Sequence, residues 1–460
     1  MNSVAENTKR KIEESNKQQR NAIESILEGW EGKNEFIFPV VDGPPGTGKT
    51  RVGVLAASRY AWENNKRQVA YLTYTNEAAE KAREEFFKLG WNPKTVIRLS
   101  ADQSEINWEK GIIGCSSDLK SLPDPEDRRK IKAAPILIST LYASRRIFEV
   151  HTQPLLIIDE FSQVSPSLYF STLSKIATAK YSPPGYVLLG DPNQLPVISS
   201  QPLLRPNIGR FVFARKDYVP HELILQYRMH ERICEMVNGL REALNVHRAL
   251  ESDESVKTRT LIDLGYIWNS DKCPADFRNI LDPKNPCVVI YTDNLPGEEK
   301  LGFGKSTSYA EEAQLVANLA KAISRSYKHK SGKCLLTTIL SPYKAQRGTI
   351  QQCLQENEKL QQQCLTIYKA QGREYPCVII SFTRKNSGGR IGFLGEEGIF
   401  GEVGMRAQTY VACSRAQAKL IILLSYKTFK GHRDYGFLLK KAGNNALIVN
   451  AKREWIDKND

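Results

Sequence analysis

Short apolar runs alternate with longer amphipathic stretches along most of the chain, so that each run reads as a buried strand and each stretch as a helix lying over it. The runs at 36–41, 69–72, 136–139, 155–158 and 186–189 predict one parallel sheet. A second series at 287–291, 338–340, 378–382 and 420–424 predicts another, with helices such as 310–325 between its strands. The expected fold class is therefore α/β, with two lobes in tandem. Between 250 and 286 the segments ESDESVK and NSDKCPADFRN are polar and lack a sustained period, which places the join there. This gives a polar N-terminal extension at 1–14, a first lobe at 15–255, a second at 256–440 and a C-terminal tail at 441–460. Residues 101–132 are irregular and charge-rich, and are expected to be an insertion on the first lobe.

Composition narrows the partners. With 65 Lys and Arg against 51 Asp and Glu, the chain carries a formal charge of +14, which favours a polyanionic partner. A hydrophobic fraction of 41% is ordinary for a folded protein and argues against disorder. The opening MNSVAENTKRKIEES is polar, and no apolar run approaches the roughly 20 residues needed to cross a bilayer. An intracellular, cytoplasmic protein without a membrane partner is expected. The nine cysteines contain no CxxC pair, and the six histidines show no ligand spacing with them. Reduced cysteines and no structural zinc follow.

Three segments carry chemistry. Gly43-Pro44-Pro45-Gly46-Thr47-Gly48-Lys49-Thr50 follows the apolar FIFPVV and precedes the helix-compatible VGVLAASRYAW. This is the strand–loop–helix setting of a P-loop: glycines let successive N–H groups turn inward around phosphate oxygens, Lys49 brings positive charge to the β- and γ-phosphates, and Thr50 can ligate Mg²⁺. Leu155-Leu156-Ile157-Ile158-Asp159-Glu160 is an apolar strand ending in two carboxylates. Such an acidic pair alone is an ordinary loop start. Beside a P-loop, Asp159 is the candidate Mg²⁺ ligand and Glu160 the candidate base for the attacking water. The third segment, Val187 to Pro196 with the core GDPNQLP, is a further strand ending in turn-forming residues.

The set GPPGTGKT, DEFSQ, GDPNQLP, QYRMH, QGRE and SRAQAK, in this order, resembles the superfamily 1 helicases, in particular the branch of the nonsense-mediated-decay helicase and its nidovirus relatives. The resemblance runs from about Asn16 to about Tyr426. It implies two RecA-like lobes of the P-loop NTPase fold, with ATP and Mg²⁺ as cofactors. Gln19 matches the glutamine that reads adenine, with neighbouring Gln18 an open alternative. Gln194 matches the γ-phosphate sensor. In Gln226-Tyr227-Arg228-Met229-His230 the tyrosine, Tyr227, would lie against the base and Arg228 would reach the γ-phosphate, while His230 receives no chemistry. Gln371 would sense phosphate and Glu374 the ribose. The segment TIYKAQG is closer to RecD-like helicases than to the decay branch. Arg415 matches the arginine finger delivered from the second lobe to the transferring phosphoryl group.

For nucleic acid, the matching positions are Thr75 and Asn76 in TYTNEAA, Thr140 in ISTLYAS, Pro342 and Tyr343 in SPYKAQ, and Thr366. Hydroxyl and amide groups suit a grip on the sugar-phosphate backbone, so binding to single strands should be largely independent of sequence and sensitive to salt. The resemblance also starts close to the adenine-reading glutamine, which predicts no N-terminal accessory barrel or zinc module. The function implied is a nucleic-acid-stimulated ATPase moving 5′ to 3′ on single strands and unwinding DNA or RNA. The competing reading is an ATP-gated single-strand-binding or remodelling protein that does not unwind. A third, a P-loop ATPase acting on protein or a small molecule, predicts indifference to nucleic acid. A grip on the sugar-phosphate backbone tolerates DNA and RNA alike.

Overall fold

The computed structural model describes residues 2–30, 39–64, 68–102, 106–114, 124–144, 147, 155–177, 185–197, 199, 201, 204–206, 208–209, 219–246, 248–302, 306–398 and 404–457. The chain divides into two compact units, Met1–Ile224 and Leu225–Asp460.

Unit 1 opens with helices α1 (Asn2–Glu13) and α2 (Lys17–Trp30). Strand β1 (Val40–Asp42) then leads through the P-loop into α3 (Lys49–Glu63). Next come β2 (Val69–Thr73), α4 (Asn76–Lys88), β3 (Val96–Ser100), the short β4 (Ile106–Asn107) and β5 (Ile112–Gly114), α5 (Pro125–Ala133) and β6 (Ile136–Thr140). The unit ends with β7 (Leu155–Asp159), α6 (Pro166–Ala177), β8 (Tyr186–Gly190) and β9 (His221–Glu222). Among the described residues these strands form one sheet in the order β4-β5-β3-β6-β2-β7-β8-β1-β9, with every neighbouring pair parallel except β4 and β5. Alternate residues point to opposite faces, and both faces are covered. Leu155 and Ile157 join one core with Val41, Tyr71 and Leu189, whereas Leu156 and Ile158 join another with Val40, Leu72 and Leu188. Burial on both sides is why these strands are continuously apolar.

Unit 2 contains α7 (Glu231–Ala243), β10 (Cys287–Tyr291), α8 (Ala310–Ser326), β11 (Thr338–Ser341), α9 (Lys344–Cys353), β12 (Cys364–Thr366), β13 (Tyr375–Ser381), α10 (Ala407–Cys413), β14 (Ala416–Leu424), α11 (Arg433–Asn445) and β15 (Leu447–Asn450). Its main sheet is wholly parallel, in the order β12-β11-β13-β14-β10-β15. Each unit is thus a parallel α/β lobe, as the alternation of apolar runs predicts, and of the RecA-like P-loop NTPase class that the resemblance implies.

The divisions differ from expectation in four places. The join falls at 224/225 rather than 255/256, because α7 packs on α11: Lys441 Nζ meets Glu235 Oε2 at 2.8 Å, and a Cβ at Gly239 would lie 3.0 Å from the Phe437 carbonyl oxygen. The N-terminal extension 1–14 is not a free polar segment. Val4 and Ile12 are buried, and Thr8 Oγ1 and Ser58 Oγ share a hydrogen bond of 2.8 Å. The tail 441–460 contributes β15 to the second sheet and buries Trp455, whose carbonyl accepts from Asn318 Nδ2 at 2.8 Å. Within 101–132, the described part extends the first sheet through β4 and β5, since Ile113 enters its core. Part of that segment, and residues 36–38 of the first predicted strand, lie outside the described residues. Among the described residues no helix is long and apolar enough to cross a membrane.

Candidate nucleotide and nucleic-acid sites

In unit 1 the sheet order sets β7, β8 and β1 side by side, so the acidic pair, the GDPNQ turn and the P-loop emerge together at one sheet edge. The P-loop is tied to its neighbour by Gly43 N donating to the Gly190 carbonyl at 2.7 Å. Gly46 and Gly48 adopt φ of 83° and 82°, a conformation costly for any residue with a Cβ, and this winds the loop before α3 begins at Lys49. Thr47 is buried and its hydroxyl donates to the Pro44 carbonyl at 2.8 Å, closing the loop on itself across Pro45.

Gln19, not Gln18, faces this loop. Gln19 Nε2 donates to the Thr47 carbonyl at 2.9 Å, while Gln18 Oε1 accepts from the Ile224 amide at 3.0 Å. Gln19 also forms a reciprocal cap with Asn16: Gln19 N donates to Asn16 Oδ1 at 2.9 Å and Asn16 N to Gln19 Oε1 at 3.3 Å. A primary amide has two N–H donors and two acceptor lone pairs, so one of each is left over after these bonds, as adenine recognition requires. A Cβ at Gly48 would lie 2.8 Å from Gln19 Nε2. Gly48→Ala should therefore displace the amide as well as strain the loop. We expect Gln19→Ala to reduce the preference for ATP over GTP by several-fold to about tenfold, the range of one neutral hydrogen bond. Gly48→Ala should weaken both nucleotides. Binding titrations with the two triphosphates check both results.

The acidic pair is held firmly. Asp159 is buried, and its Oδ2 accepts from Thr50 Oγ1 and from Tyr71 OH, both at 2.8 Å, while Oδ1 accepts from the Glu160 amide at 2.8 Å. A hydroxyl and a carboxylate this close are oxygen donors of the type Mg²⁺ takes, so the residues fit that ion. Glu160 sits at φ 58°, ψ 45°, a left-handed conformation unusual for glutamate, and its Oε2 accepts from Gln163 Nε2 at 2.9 Å. Tyr71 was not singled out from sequence. Its signal is a lone aromatic ring inside the buried strand VAYLT. Burial first, and the neighbouring Asp159 second, push this phenol well above its ordinary range, so it stays a proton donor to Asp159.

The GDPNQ turn is built around Asp191, which is buried and accepts from Asn193 N at 2.9 Å and from Gln194 Nε2 at 3.4 Å. Gln194 is thereby fixed beside the P-loop strand. Gly190 is required by packing: a Cβ there would lie 2.6 Å from the Phe161 ring.

The other nucleotide candidates belong to unit 2. Gln226 is buried with all four hydrogen-bonding capacities used: Nε2 donates to Met229 O and Ser252 Oγ, each at 2.7 Å, and Oε1 accepts from the amides of Arg228 at 2.8 Å and Met229 at 2.7 Å. It shapes the QYRM turn, on which Tyr227 is half-buried. Arg228 Nε donates to Glu374 Oε2 at 2.6 Å and Nη1 to the Ser414 carbonyl at 3.1 Å. Two residues expected at different parts of the nucleotide are thus paired with each other. Gln371 stands on the same turn, ahead of Gly372 at φ 77°. Arg415 is buried, with Nε donating to Val411 O at 2.9 Å, Nη1 to Arg373 O at 3.2 Å and Nη2 to Ser414 Oγ at 2.9 Å. His230 caps α7 through Nδ1, which accepts from Arg232 N at 3.0 Å, and burial pushes its ring down to about 4.

The expected nucleic-acid positions fall at the C-terminal ends of strands. In unit 1, Thr75 caps α4 by accepting from Ala78 N at 3.1 Å, Asn76 is exposed, and Thr140 ends β6. In unit 2, Pro342 follows β11 and Thr366 ends β12. Tyr343 departs from expectation. Its ring is buried against Phe393, with centroids 4.8 Å apart, and its hydroxyl donates to the Ile391 carbonyl at 3.3 Å, so it packs the lobe instead of presenting a surface.

Two sequence profiles, each described as an AAA domain, match residues 14–208 and 210–427. Similar proteins include the mouse (Mus musculus) DNA replication ATP-dependent helicase/nuclease DNA2, 25% identical over 458 residues, covering 94% of this chain and 39% of that protein. The Neurospora crassa regulator of nonsense transcripts 1 homolog is 22% identical, covering 89% of this chain and 38% of that protein. The chain is similar to superfamily 1 helicases, and the two profiles together match most of its length as AAA domains. A complex of arterivirus nonstructural protein 10 (helicase) with DNA aligns over 87% of this chain and 63% of the viral chain, at 14% identity and a TM-score of 0.43. The chain spans about two fifths of the length of the curated relatives it matches first. Helicase/nucleases stand among those relatives beside the decay-branch protein, which broadens the branch that the motifs suggested.

Proposed function

We propose that this chain is a nucleic-acid-stimulated ATPase that uses ATP hydrolysis to move 5′ to 3′ along single strands and to unwind DNA or RNA. The observation that carries the reading is the cluster of Thr50, Tyr71, Asp159 and Glu160 at the P-loop edge of unit 1, with relatives named as ATP-dependent helicases in support. The P-loop amides and Lys49 receive the phosphates, and Gln19 reads the base. Thr50 and Asp159 would hold Mg²⁺, which when bound offsets phosphate charge. Glu160 orients water and accepts its proton, and Gln194, braced by Asp191, faces the γ-phosphate. From unit 2, Arg228 and Arg415 are proposed to stabilise charge on the transferring phosphoryl group, Tyr227 to stack on the base, and Gln371 and Glu374 to complete nucleotide sensing. Before acting so, Arg228 must leave Glu374, and Arg415 must leave Val411 O, Arg373 O and Ser414 Oγ. Thr75, Asn76, Thr140, Pro342 and Thr366 are proposed to hold the sugar-phosphate backbone.

Steady-state ATP hydrolysis without nucleic acid and with single-stranded DNA, single-stranded RNA or duplex, at low and moderate salt, tests this reading. Single strands should stimulate hydrolysis, and the stimulation should fall steeply with salt. Hydrolysis indifferent to every nucleic acid would leave an ATPase with another substrate. Strand separation on a duplex with a 5′ overhang, compared with a 3′ overhang, tests the direction.

A further inference from the structure

We propose that the cleft between α8 and α9 on unit 2 is a second binding site, for the diphosphate group of a nucleotide or of inorganic pyrophosphate. The two helices share one core through Leu319, Ile323 and Ile350, with Leu354 just beyond α9. Outside that core they enclose a cleft of about 790 Å³, within the roughly 300 to 1,000 Å³ of ordinary small-molecule sites. None of the residues assigned above to nucleotide or nucleic acid lines it.

The charges in this cleft are unspent. Lys321 and Arg325 stand one turn apart on α8, which puts their Cβ atoms about 6 Å from each other on one wall. Arg325 lies in the last turn, where a cation offsets the helix dipole and needs no ligand. Lys321 lies a turn deeper and is half-buried, so its charge is partly withdrawn from water. Neither side chain makes a hydrogen bond or ion pair with a described residue, and Glu356, which also lines the cleft, pairs with neither. Cys353 lies near Lys321, but burial first pushes its thiol up, with Lys321 opposing. The thiol therefore stays uncharged at neutral pH and leaves the lysine's charge uncompensated.

The rest of the lining is rich in donors. The side-chain amides of Gln352 and Gln355 and the hydroxyl of Ser324 have no hydrogen-bond partner among the described residues. Asn357 accepts from Leu360 N at 3.1 Å through Oδ1, which leaves its Nδ2 to donate. Two linked phosphoryl groups spread charge over several acceptor oxygens and so match two cations ringed by amides, whereas a carboxylate offers one charge and two oxygens. The Glu356 carboxylate adds an exposed acceptor suited to sugar hydroxyls, so ADP is expected to bind more tightly than pyrophosphate.

The test is a calorimetric titration of the full chain with ADP and Mg²⁺. The wild-type protein should bind two molecules, and Lys49→Ala and the double variant Lys321→Gln/Arg325→Gln one each. Loss of two charge-assisted contacts should weaken the cleft site about a hundredfold. Pyrophosphate titrated into Lys49→Ala separates the sources: weaker binding than ADP assigns the nucleotide, and equal or tighter binding the inorganic group. A wild-type protein that binds one ADP, lost in Lys49→Ala, overturns the cleft site and leaves the P-loop reading standing. One ADP lost only in the double variant upholds the cleft and overturns the P-loop reading. Sulfate that displaces ADP from the cleft as well as pyrophosphate does, at equal ionic strength, overturns recognition of a diphosphate. Should the double variant fail to fold, iodoacetamide labelling of Cys353 in the Lys49→Ala and wild-type proteins, read by peptide mass, decides the matter. Filling the cleft should slow it several-fold, and labelling unchanged by ADP overturns the site.

Discussion

Glu160→Gln should bind ATP as the wild-type protein does and turn it over about 10²- to 10⁴-fold more slowly, the usual contribution of a positioned general base. The substitution is nearly isosteric, so shape is conserved while the ability to accept a proton is lost. The local frame does not depend on the carboxylate charge. Asp159 Oδ1 accepts from the backbone amide of residue 160, and this bond survives any side chain there. The left-handed backbone at φ 58° is no harder for glutamine than for glutamate. Gln163 Nε2, which donates to Glu160 at 2.9 Å, can donate equally to the amide oxygen of the variant. Binding and turnover should therefore separate cleanly. Equilibrium ATP titration paired with single-strand-saturated turnover checks this, and hydrolysis close to the wild-type rate would remove Glu160 as the base.

How much of this arrangement the sequence discloses depends on what makes a signal local. Strands β7, β8 and β10 are legible to within a residue because burial on both faces keeps all but their end residues apolar. The P-loop is legible because its glycines are demanded by backbone conformation within one turn. Helix α1 was missed for the opposite reason. Val4, Thr8 and Ile12 face the core, a narrow stripe at four-residue spacing on a strongly charged segment, and its docking partner Ser58 lies fifty residues away. Strand β15 was missed because its alternate residues Ile448 and Asn450 are exposed, leaving a short edge strand that resembles any polar tail. The role of Tyr71 is invisible in its own neighbourhood because its partner, Asp159, arrives from a different strand. The pairing of Arg228 with Glu374 joins two motifs read separately, and no spacing rule predicts it.

A buried carboxyl in unit 2 predicts a second large effect, on stability. Glu312 in the first turn of α8 is fully buried, and its Oε1 accepts from Ser381 Oγ at 2.5 Å and Thr383 N at 2.8 Å. Those bonds reach past the end of β13 to Thr383, held at φ 72°, and Gln346 completes the network by donating to Ser381 Oγ at 3.0 Å. Burial dominates and pushes the Glu312 carboxyl up from 4.5 to about 7, with the Ser381 and Thr383 bonds opposing it. The folded state therefore holds this proton more tightly than the unfolded chain does. The stabilisation is fully present below about pH 4.5 and is lost as pH rises through 7, a span of about 3 kcal/mol by linkage. Glu312→Gln keeps an acceptor for Ser381 and Thr383 and has no charge to bury, so it should remove this slope. Urea unfolding of both proteins from pH 5 to 8 cancels the other titrating groups in the difference. The variant should gain roughly 2 to 3 kcal/mol on the wild-type protein across that range. Parallel stability curves would mean that Glu312 titrates at the same pH folded and unfolded, and that the ends of the strands in this lobe are held by packing rather than by a protonated carboxyl.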